Sequence, residues 1–261
     1  MLTDSELVVA ATLAEDLARE AMTRIRGDRP AQISTKANAA DFTTDIDVAV
    51  EQHVKDIVLQ RYPGHRVIGE ELGALGAAAG AGTPTWYLDP VDGTTNLTHG
   101  ILWCSFSLAL ADESGPAVAV VADPWRGEVF AGVRGRGATL NGLTIRCADA
   151  TSLVGTVVMT EWSGHEPWPG MFEMLWGLSE RLCTVRLMGS SALALVTAAS
   201  GRAAGAVIGS YHDVDDMAAV LIAREAGAVV RRRGGSDQPG PDGVLVAAPG
   251  VSHELSGLWS T

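Results

Sequence analysis

Residues 86–96 read Trp-Tyr-Leu-Asp-Pro-Val-Asp-Gly-Thr-Thr-Asn, an apolar run followed by two aspartates, a glycine and two hydroxyl side chains. Pro90 fixes its own φ angle and has no amide hydrogen, so the predicted strand ends near Asp89. Gly93 can adopt a backbone conformation closed to other residues, and the two threonines after it are placed to begin a helix whose free amides face an anion. Residues 89–95 therefore combine carboxylates that can bind a hard cation with backbone amides that can bind a phosphate.

Two more acidic clusters lie upstream. Residues 67–71, Val-Ile-Gly-Glu-Glu, form a second apolar run that ends in acids. Residues 41–47, Asp-Phe-Thr-Thr-Asp-Ile-Asp, begin a segment whose later apolar residues recur at helical spacing. One Asp-x-x-Asp alone is an ordinary turn on a solvated loop. Three acidic clusters at the ends of regular elements instead predict one site that the fold assembles.

In this order and spacing, the motifs resemble those of the inositol monophosphatase family, the magnesium-dependent, lithium-sensitive phosphomonoesterases. The resemblance extends from residue 36 to about residue 228 and is carried by Lys36, residues 41–47, Gly69-Glu70-Glu71, residues 89–96 and Asp215. It implies the five-layer α-β-α-β-α sandwich of the inositol monophosphatase and fructose-1,6-bisphosphatase type. The active site of that fold lies between its two halves.

The resemblance also implies two to three Mg²⁺ ions. Glu70, Asp89 and the carbonyl oxygen of Val91 would hold one ion. Asp89, Asp92 and Asp215 would hold a second, and Glu70 would also serve a third. Magnesium prefers about six oxygen ligands and keeps several waters, which suits carboxylates that converge from separate elements. The motifs contain no histidine or cysteine ligands, which disfavours zinc.

By the same resemblance, a metal-held water is the nucleophile. Thr94 together with Asp47 orients this water and takes its proton, and Glu70 also contacts the water. The implied substrate-binding residues are Lys36, Asp92, Gly93, Thr94, Gly189, Ser190 and Asp215. An isolated Asp-x-x-Asp leaves open an aspartyl-phosphate mechanism with Asp89 as nucleophile. The partner motif Gly69-Glu70-Glu71 favours metal-held water.

The C-terminal motif departs from the family pattern. Residues 212–216, His-Asp-Val-Asp-Asp, offer three aspartates, and the distance to Glu225-Ala226-Gly227 selects Asp215 as the ligand. Inositol-selective members carry an acidic residue seven positions before this aspartate, where this chain has Ile208. Burying a substrate hydroxyl without a partner costs about 1 to 3 kcal/mol, so strict selectivity for inositol is not expected.

The sequence therefore predicts a phosphoric monoester hydrolase whose substrate is inositol 1-phosphate or one of a broad range of sugar phosphates. The alternatives are histidinol phosphate, a nucleotide of the 3′-phosphoadenosine 5′-phosphate type, and a catalytically weak regulatory role. Arg186 and residues 189–191 resemble the substrate-side segment, with Ser191 as an alternative helix cap. The resemblance suggests a homodimer, for which Trp162, Trp168 and Trp176 are interface candidates. Core packing explains these tryptophans equally well.

Composition narrows the class of partner. The formal charge is -12 over 261 residues, which argues against nucleic acid and anionic membranes as default partners. Divalent cations would reconcile the clustered acids with a phosphate ligand. The cysteines form no Cys-x-x-Cys pattern and predict neither a disulfide framework nor a zinc site; they are Cys104, Cys147 and Cys183. With no leader pattern and no apolar run of about 18 residues, we expect a cytoplasmic protein.

The chain is predicted to have two halves, residues 1–145 with most metal ligands and residues 146–261 with Asp215 and the substrate-side residues. Strands alternate with helices in the second half, which predicts a layered α/β arrangement. Residues 72–84 contain only Ala, Gly, Leu, Thr and Pro and are expected to form a flexible loop beside the site.

Turn and cap signals set two further expectations. Residues 3–6, Thr-Asp-Ser-Glu, have the form of a capping box and predict a long first helix that ends near Gly27. Short apolar runs between residues 104 and 133, with the hairpin pair Asn141-Gly142, predict a mainly antiparallel sheet in the middle of the chain.

Overall fold

The computed structural model describes residues 1–27, 30–36, 38–80, 82–162 and 166–259. Its helices are α1 (Asp4–Gly27), α2 (Asp45–Arg61), α3 (Thr94–Thr98), α4 (Met171–Glu180), α5 (Ser191–Ala199), α6 (Asp213–Glu225) and α7 (Ser252–Trp259). Its strands are β1 (Ile33–Thr35), β2 (Phe42–Thr44), β3 (Arg66–Gly69), β4 (Gly73–Gly76), β5 (Thr85–Asp92), β6 (Ser105–Asp112), β7 (Gly115–Asp123), β8 (Glu128–Val133), β9 (Gly137–Leu140), β10 (Leu143–Ile145), β11 (Val157–Thr160), β12 (Thr184–Leu187), β13 (Gly205–Ile208), β14 (Val229–Arg231) and β15 (Val244–Ala247).

These elements stack in five layers. Helices α1 and α2 cover one face of an eight-stranded sheet of order β10-β9-β8-β7-β6-β5-β3-β4. Helices α5 and α6 lie between that sheet and a five-stranded sheet of order β12-β11-β13-β15-β14, whose outer face is covered by α4 and α7. The middle helices contact sheets on both sides, so they are apolar over most of their surface. The predicted five-layer sandwich is confirmed.

The large sheet is antiparallel from β5 to β10, as predicted, and β3 joins it in parallel with β5. Asn141 and Gly142 both have positive φ angles, and they turn the hairpin between β9 and β10 as their sequence predicts. The large sheet ends at Ile145 and β11 belongs to the other sheet. A domain division near residue 145 stays a prediction.

The expectation of a flexible loop over residues 72–84 is wrong for its first part. Gly73–Gly76 forms β4, which pairs antiparallel with β3. An Ala/Gly-rich segment lacks the β-branched side chains that mark strands, but pairing at a sheet edge needs only a free backbone neighbour. Strand β3 supplies that neighbour. Ala81 lies outside the described residues.

Helix starts agree with the capping signals. The amide of Thr3 donates to the Glu6 carboxylate, and the amide of Glu6 donates to the Thr3 hydroxyl, which confirms the capping box of α1. The second helix begins at Asp45 and not at residue 41, because Phe42–Thr44 pairs with β1 as a strand.

Within the described ranges, no helix is long and apolar enough to cross a membrane. All three cysteines are free thiols.

Candidate active site

Three carboxylates converge where separate elements end. Glu70 follows β3, Asp89 lies within β5, three residues before its last residue, and Asp215 lies in the first turn of α6. One ligand oxygen from each lies within 4.8 Å of the other two. Strand β5 does not stop at Asp89 as predicted but continues to Asp92, with a shift in its register against β6 between these residues. The shift accommodates the proline that has no amide hydrogen to donate.

The electrostatics of this cluster suit a cation. Burial raises the pKa of Asp89 well above its ordinary value, and the negative charges of Glu70 and Asp215 raise it further. Burial, followed by the charge of Asp216, raises the pKa of Asp215 to about 9. Like charges that converge away from water favour proton uptake or a bound cation. An all-oxygen ligand set fits a hard divalent ion such as magnesium, so the residues present fit the metal that the family resemblance implies.

Thr94 and Asp47 form a hydrogen-bonded pair beside the cluster. The Thr94 Oγ1 donates toward Asp47 Oδ1 at 2.9 Å and toward the Val91 carbonyl oxygen at 2.8 Å. Asp47 is fully buried and also accepts from the amide and the hydroxyl of Thr44, the N-cap of α2. The capping box of α2 therefore fixes Asp47 against Thr94. Burial raises the pKa of Asp47.

Asp92 faces the N-terminus of α5. It accepts hydrogen bonds from the Ser190 hydroxyl, the Ser105 hydroxyl at 3.2 Å and the Ala192 amide at 2.9 Å. A carboxylate at this end of a helix is stabilised by the free amides and the helix dipole. Burial still raises the pKa of Asp92 to about 6. Asp92 thus ties β5 of one sheet to the helix layer between the sheets.

Gly93 has the positive φ angle that its sequence context predicts, +94°, and it is the residue before α3. A Cβ atom at Gly93 would lie 2.7 Å from the carbonyl oxygen of Gly189, so the close approach of these two segments requires glycine. The segment predicted to bind the phosphate, at Gly93, is therefore in direct contact with the substrate-side segment at Gly189.

Ser190, and not Ser191, is the N-cap of α5. The Ser190 hydroxyl accepts from the Leu193 amide and donates to Asp92, while the Ser191 hydroxyl donates to Asp216 at 2.7 Å. Asp216 also accepts from the His212 amide. Burial raises the pKa of Asp216 to about 7.

The three aspartates of the C-terminal motif therefore differ in surroundings. Asp213 is exposed and Asp216 is bound within the protein, whereas Asp215 is the one that approaches Glu70 and Asp89. The distance to Glu225-Ala226-Gly227 in the sequence selects the same residue.

Lys36 lies over the cluster. Its Nζ is 2.8 Å from Glu70 Oε1 and also forms an ion pair with Glu71. Burial opposes the charged ammonium, but the hydrogen bonds to the two glutamates raise the pKa of Lys36 above its ordinary value. Lys36 therefore carries a positive charge at the edge of an otherwise acidic site.

A cavity with two adjoining lobes contains these groups. The first lobe, of about 230 Å³, is lined by Asn38, Ala40, Asp41, Phe42, Glu70, Asp89, Val91, Asp92, Gly93, Thr94, Thr95 and Asp215. The second, of about 410 Å³, shares several of these acids and is otherwise lined by Glu161, Trp162, Gly189, Ser190, Ser191, Ile208, Ser210, His212 and Asp216. Arg186, which resembled part of the substrate-side segment, lines a different cavity.

Comparison with known proteins now identifies the family. The sequence model of the inositol monophosphatase family matches residues 4–258. The chain belongs to the inositol monophosphatase family. It is 36% identical over 225 residues to the Nus factor SuhB of Pasteurella multocida, an alignment that covers 85% of this chain and 84% of that protein. It is 35% identical over 229 residues to human inositol monophosphatase 2, with 85% and 77% covered.

A solved structure agrees with this assignment. The inositol monophosphatase from Anabaena (Nostoc) superposes with a TM-score of 0.84 at 27% identity, and the match covers 97% of this chain and 96% of that one. Membership of the inositol monophosphatase family supports a phosphatase of that type. The acidic cluster agrees with the metal dependence general to the family.

Sequence reasoning missed Glu161. This residue follows β11, is 5% exposed and accepts from the amides of Met188 at 3.1 Å and Gly189 at 2.6 Å. Burial raises its pKa to about 8. The sequence signal for Glu161 was its position directly after a strand. Strands β11, β12 and β13 are parallel, so their carboxyl ends lie at one edge of the sheet. Parallel sheets commonly bind ligands at that edge.

Proposed function

We propose that this chain is a magnesium-dependent phosphomonoesterase that hydrolyses a small phosphorylated polyol or sugar with water as the nucleophile. The observation that carries the proposal is the convergence of Glu70, Asp89 and Asp215 beside the hydrogen bond between Thr94 and Asp47. Hard oxygen ligands beside a proton acceptor are what metal-assisted hydrolysis of a phosphate ester requires.

The proposed ligand sets follow the family resemblance. Glu70, Asp89 and the Val91 carbonyl oxygen would hold one magnesium ion, Asp89, Asp92 and Asp215 a second, and Glu70 would contribute to a third. When bound, magnesium lowers the pKa of a coordinated water and neutralises charge on the phosphate. The Val91 carbonyl oxygen already accepts from a hydroxyl, and its second lone pair is left for this role.

The protein's own groups then handle the proton. The single hydroxyl proton of Thr94 is directed to Asp47 and to a carbonyl oxygen, so the lone pairs of Thr94 Oγ1 are left for a water in the cavity. We propose that the proton of this water passes to Thr94 Oγ1 while the Thr94 proton passes to Asp47 Oδ1. Because burial raises the pKa of Asp47, its carboxylate is a better proton acceptor than one in water.

The substrate would span both lobes of the cavity. Lys36 and the backbone at Gly93 and Thr94 would bind the phosphate in the first lobe. In the second, Gly189 and Ser190, with Asp92 and Asp215 between the lobes, would bind the alcohol. Each of these residues except Lys36 lines the cavity, and Lys36 contacts Glu70, which does.

Ile208 supports broad selectivity. Ile208 lines the second lobe, at the position where the family resemblance implies an acid in inositol-selective members. The carboxyl group of Glu161 lines the same lobe, and its oxygens, which each accept from one amide, have further lone pairs for a polyol hydroxyl. Because Ile208 itself offers no acceptor, sugar phosphates are favoured over a strict inositol 1-phosphate specificity.

A panel of esters tests the function. Phosphate release is measured from inositol 1-phosphate, glycerol 2-phosphate, glucose 6-phosphate, histidinol phosphate and 3′-phosphoadenosine 5′-phosphate, each with and without magnesium. We expect magnesium-dependent release, and loss of at least about nine-tenths of it in Asp89→Asn, equal to about 1.4 kcal/mol of barrier lowering. The exposed variant Asp149→Asn is the matched control and should keep wild-type activity.

If no ester in the panel releases phosphate, the proposed enzymatic function is contradicted. That result would favour the regulatory alternative, in keeping with the similarity to a protein named Nus factor SuhB.

Ile208→Glu tests selectivity. If the new carboxylate accepts one hydroxyl hydrogen bond, efficiency on inositol 1-phosphate should rise relative to the other esters by about tenfold to a hundredfold. A wild-type preference for inositol 1-phosphate above about a hundredfold would contradict the proposed breadth, since one missing charged hydrogen bond accounts for no more than that.

A homodimer and lithium inhibition are proposed from the family likeness. Trp168 is buried and donates to the Glu161 carbonyl oxygen, whereas Trp162 and Trp176 are exposed. Two of the three candidate aromatic anchors are therefore available to a partner subunit. A monomeric mass by light scattering would reject the dimer, and undiminished turnover at high lithium would reject the second proposal.

A further inference from the structure

A buried ion pair lies beneath the loop that carries Glu70. Glu51 and Lys55, one turn apart on α2, are 0% and 1% exposed, and Lys55 Nζ lies 2.6 Å from Glu51 Oε1. A charged group is tolerated in such a place only when its charge is paired and its remaining hydrogen-bonding positions are filled. The partners that fill those positions therefore show what the pair holds.

Those partners are consecutive backbone groups of the loop. Glu51 accepts from the Glu71 amide through Oε2 and from the Leu72 amide through Oε1, both at 2.8 Å. Lys55 Nζ donates to the Gly73 carbonyl oxygen at 2.7 Å. Three residues in a row, directly after Glu70, are thus bound to one turn of one helix.

The residue before Glu70 is held as closely. A Cβ atom at Gly69 would lie 2.1 Å from Glu51 Oε1 and 2.2 Å from its carboxyl carbon. Because Lys55 and two amides hold the carboxylate, it has little freedom to move aside. Glu51 therefore explains the glycine in Gly69-Glu70-Glu71 and contacts the loop on both sides of Glu70.

Glu70 is itself exposed, so its position depends on its ion pair with Lys36 and on its backbone. The Glu70 amide continues the ladder between β3 and β5 by donating to Leu88 at 3.1 Å. Beyond that bond, residues 70–72 form the turn between β3 and β4, and the ion pair binds the backbone at residues 71, 72 and 73. An apolar pair of similar volume could fill the same space but could not bind backbone amides.

We propose that Glu51 and Lys55 are positioning residues that fix Glu70 against Asp89 and Asp215, and so set the affinity of the site for a divalent cation that neither residue touches. The inference rests on the proposed role of Glu70 in metal binding. Groups that orient metal ligands from outside the ligand set commonly change metal affinity strongly when they are altered.

Two variants test the pair. Lys55→Met keeps an unbranched side chain but removes the charge and the bond to Gly73. Glu51→Gln keeps the shape but replaces one acceptor oxygen by a donor nitrogen. The matched control is Arg19→Met, which breaks the exposed Glu15–Arg19 pair at the same i,i+4 spacing on α1.

Three quantities are measured on the full chain. Isothermal titration with magnesium chloride alone gives metal affinity without turnover. Hydrogen exchange is compared between residues 66–76, which contain the loop, and residues 184–199, which contain the substrate-side segment. Phosphate release against magnesium concentration separates the magnesium requirement from the maximal rate.

We expect both variants to bind magnesium about tenfold to a hundredfold more weakly, with a correspondingly higher magnesium requirement for activity. Exchange over residues 66–76 should rise by at least about tenfold while exchange over residues 184–199 stays near wild type, because only the loop loses its anchor. The maximal rate at saturating magnesium should change less than the magnesium requirement. Arg19→Met should match wild type in all three.

Magnesium affinity within about twofold of wild type in a folded variant overturns the proposal, since a positioning role predicts a larger loss. An equal rise in exchange over both segments also overturns it, because the pair would then be a general stabiliser. If Lys55→Met does not fold, Glu51→Gln carries the same test at a site that keeps its size. Wild-type protein that binds no magnesium would instead refute the proposed function.

Discussion

Glu51 and Glu161 are two buried glutamates that each hold a segment next to residues of the site. Each accepts hydrogen bonds from two consecutive amides, those of residues 71–72 in one case and residues 188–189 in the other. The two glutamates differ in whether a cationic side chain lies next to the carboxyl group. Lys55 lies against Glu51, whereas within the described ranges no ion pair involves Glu161.

At Glu161, hydrogen bonds from two amides do not offset the effect of burial on the pKa of the carboxyl group. Burial raises the pKa of Glu161 to about 8 although both its oxygens accept hydrogen bonds. The acidic cluster of Glu70, Asp89 and Asp215 is a third case, in which carboxylates face one another and burial raises the pKa of two of them. A lysine supplies a permanent cation to Glu51, and a metal would supply an exchangeable one to the cluster.

The largest effect is expected when the permanent cation is removed. Lys55→Met leaves the Glu51 charge buried without its partner, so the free energy of unfolding should fall by about 3 to 5 kcal/mol. Urea denaturation at pH 7 measures it. A loss under about 1 kcal/mol, the size typical of an exposed pair, would mean that Glu51 is already satisfied by its amides.

The glutamate without a cation should make stability depend on pH. The pKa of Glu161 is about 8 in the folded protein and close to 4.5 when exposed, so the folded state binds the extra proton between these values. Its stabilising contribution is fully present below about pH 4.5 and is lost as the pH rises toward 8, at up to about 1.4 kcal/mol per pH unit.

Glu161→Gln cannot ionise and should flatten this part of the stability profile, measured by urea denaturation across that pH range. The matched control is Glu173→Gln, an exposed glutamate on α4. An unchanged slope in Glu161→Gln would show that the two amides do keep Glu161 ionised.

Magnesium should stabilise the folded protein, because it binds the assembled cluster and not the unfolded chain. At a concentration of about 100 times the dissociation constant, the gain is about 2.7 kcal/mol. Thermal melts with magnesium and with a chelator measure it, and Asp89→Asn should abolish most of the difference. Equal melting temperatures in both conditions would count against a metal site at the cluster.

The smallest effect is expected at the exposed pair on α1. Glu15 and Arg19 have side chains 31% and 48% exposed, and their spacing equals that of Glu51 and Lys55. Arg19→Met should change the free energy of unfolding by about 0.3 to 0.5 kcal/mol, because water screens the pair. A loss comparable to that of Lys55→Met would mean that spacing on the helix, and not burial, sets the strength of these pairs.

Much of the fold could be read from local residue patterns. The capping box at residues 3–6, the hairpin pair at residues 141–142 and the positive φ angle of Gly93 all follow from neighbours in the chain. Signals of this kind survive in any sequence context because turns and caps are decided within a few residues. Glu70 and Asp89 could be found in the same way, since each stands at the end of an apolar run, whereas Asp215 was selected by its distance from Glu225-Ala226-Gly227.

The supports of that site depend on contacts between distant parts of the chain. Glu51, Lys55 and Glu161 carry no motif, because a glutamate or lysine on a helix or after a strand is most often solvated. Strand β4 is a strand only because β3 leaves an edge for it. For these three side chains, burial and backbone partners 18 to 28 residues away decide the role, and a linear pattern does not contain that information.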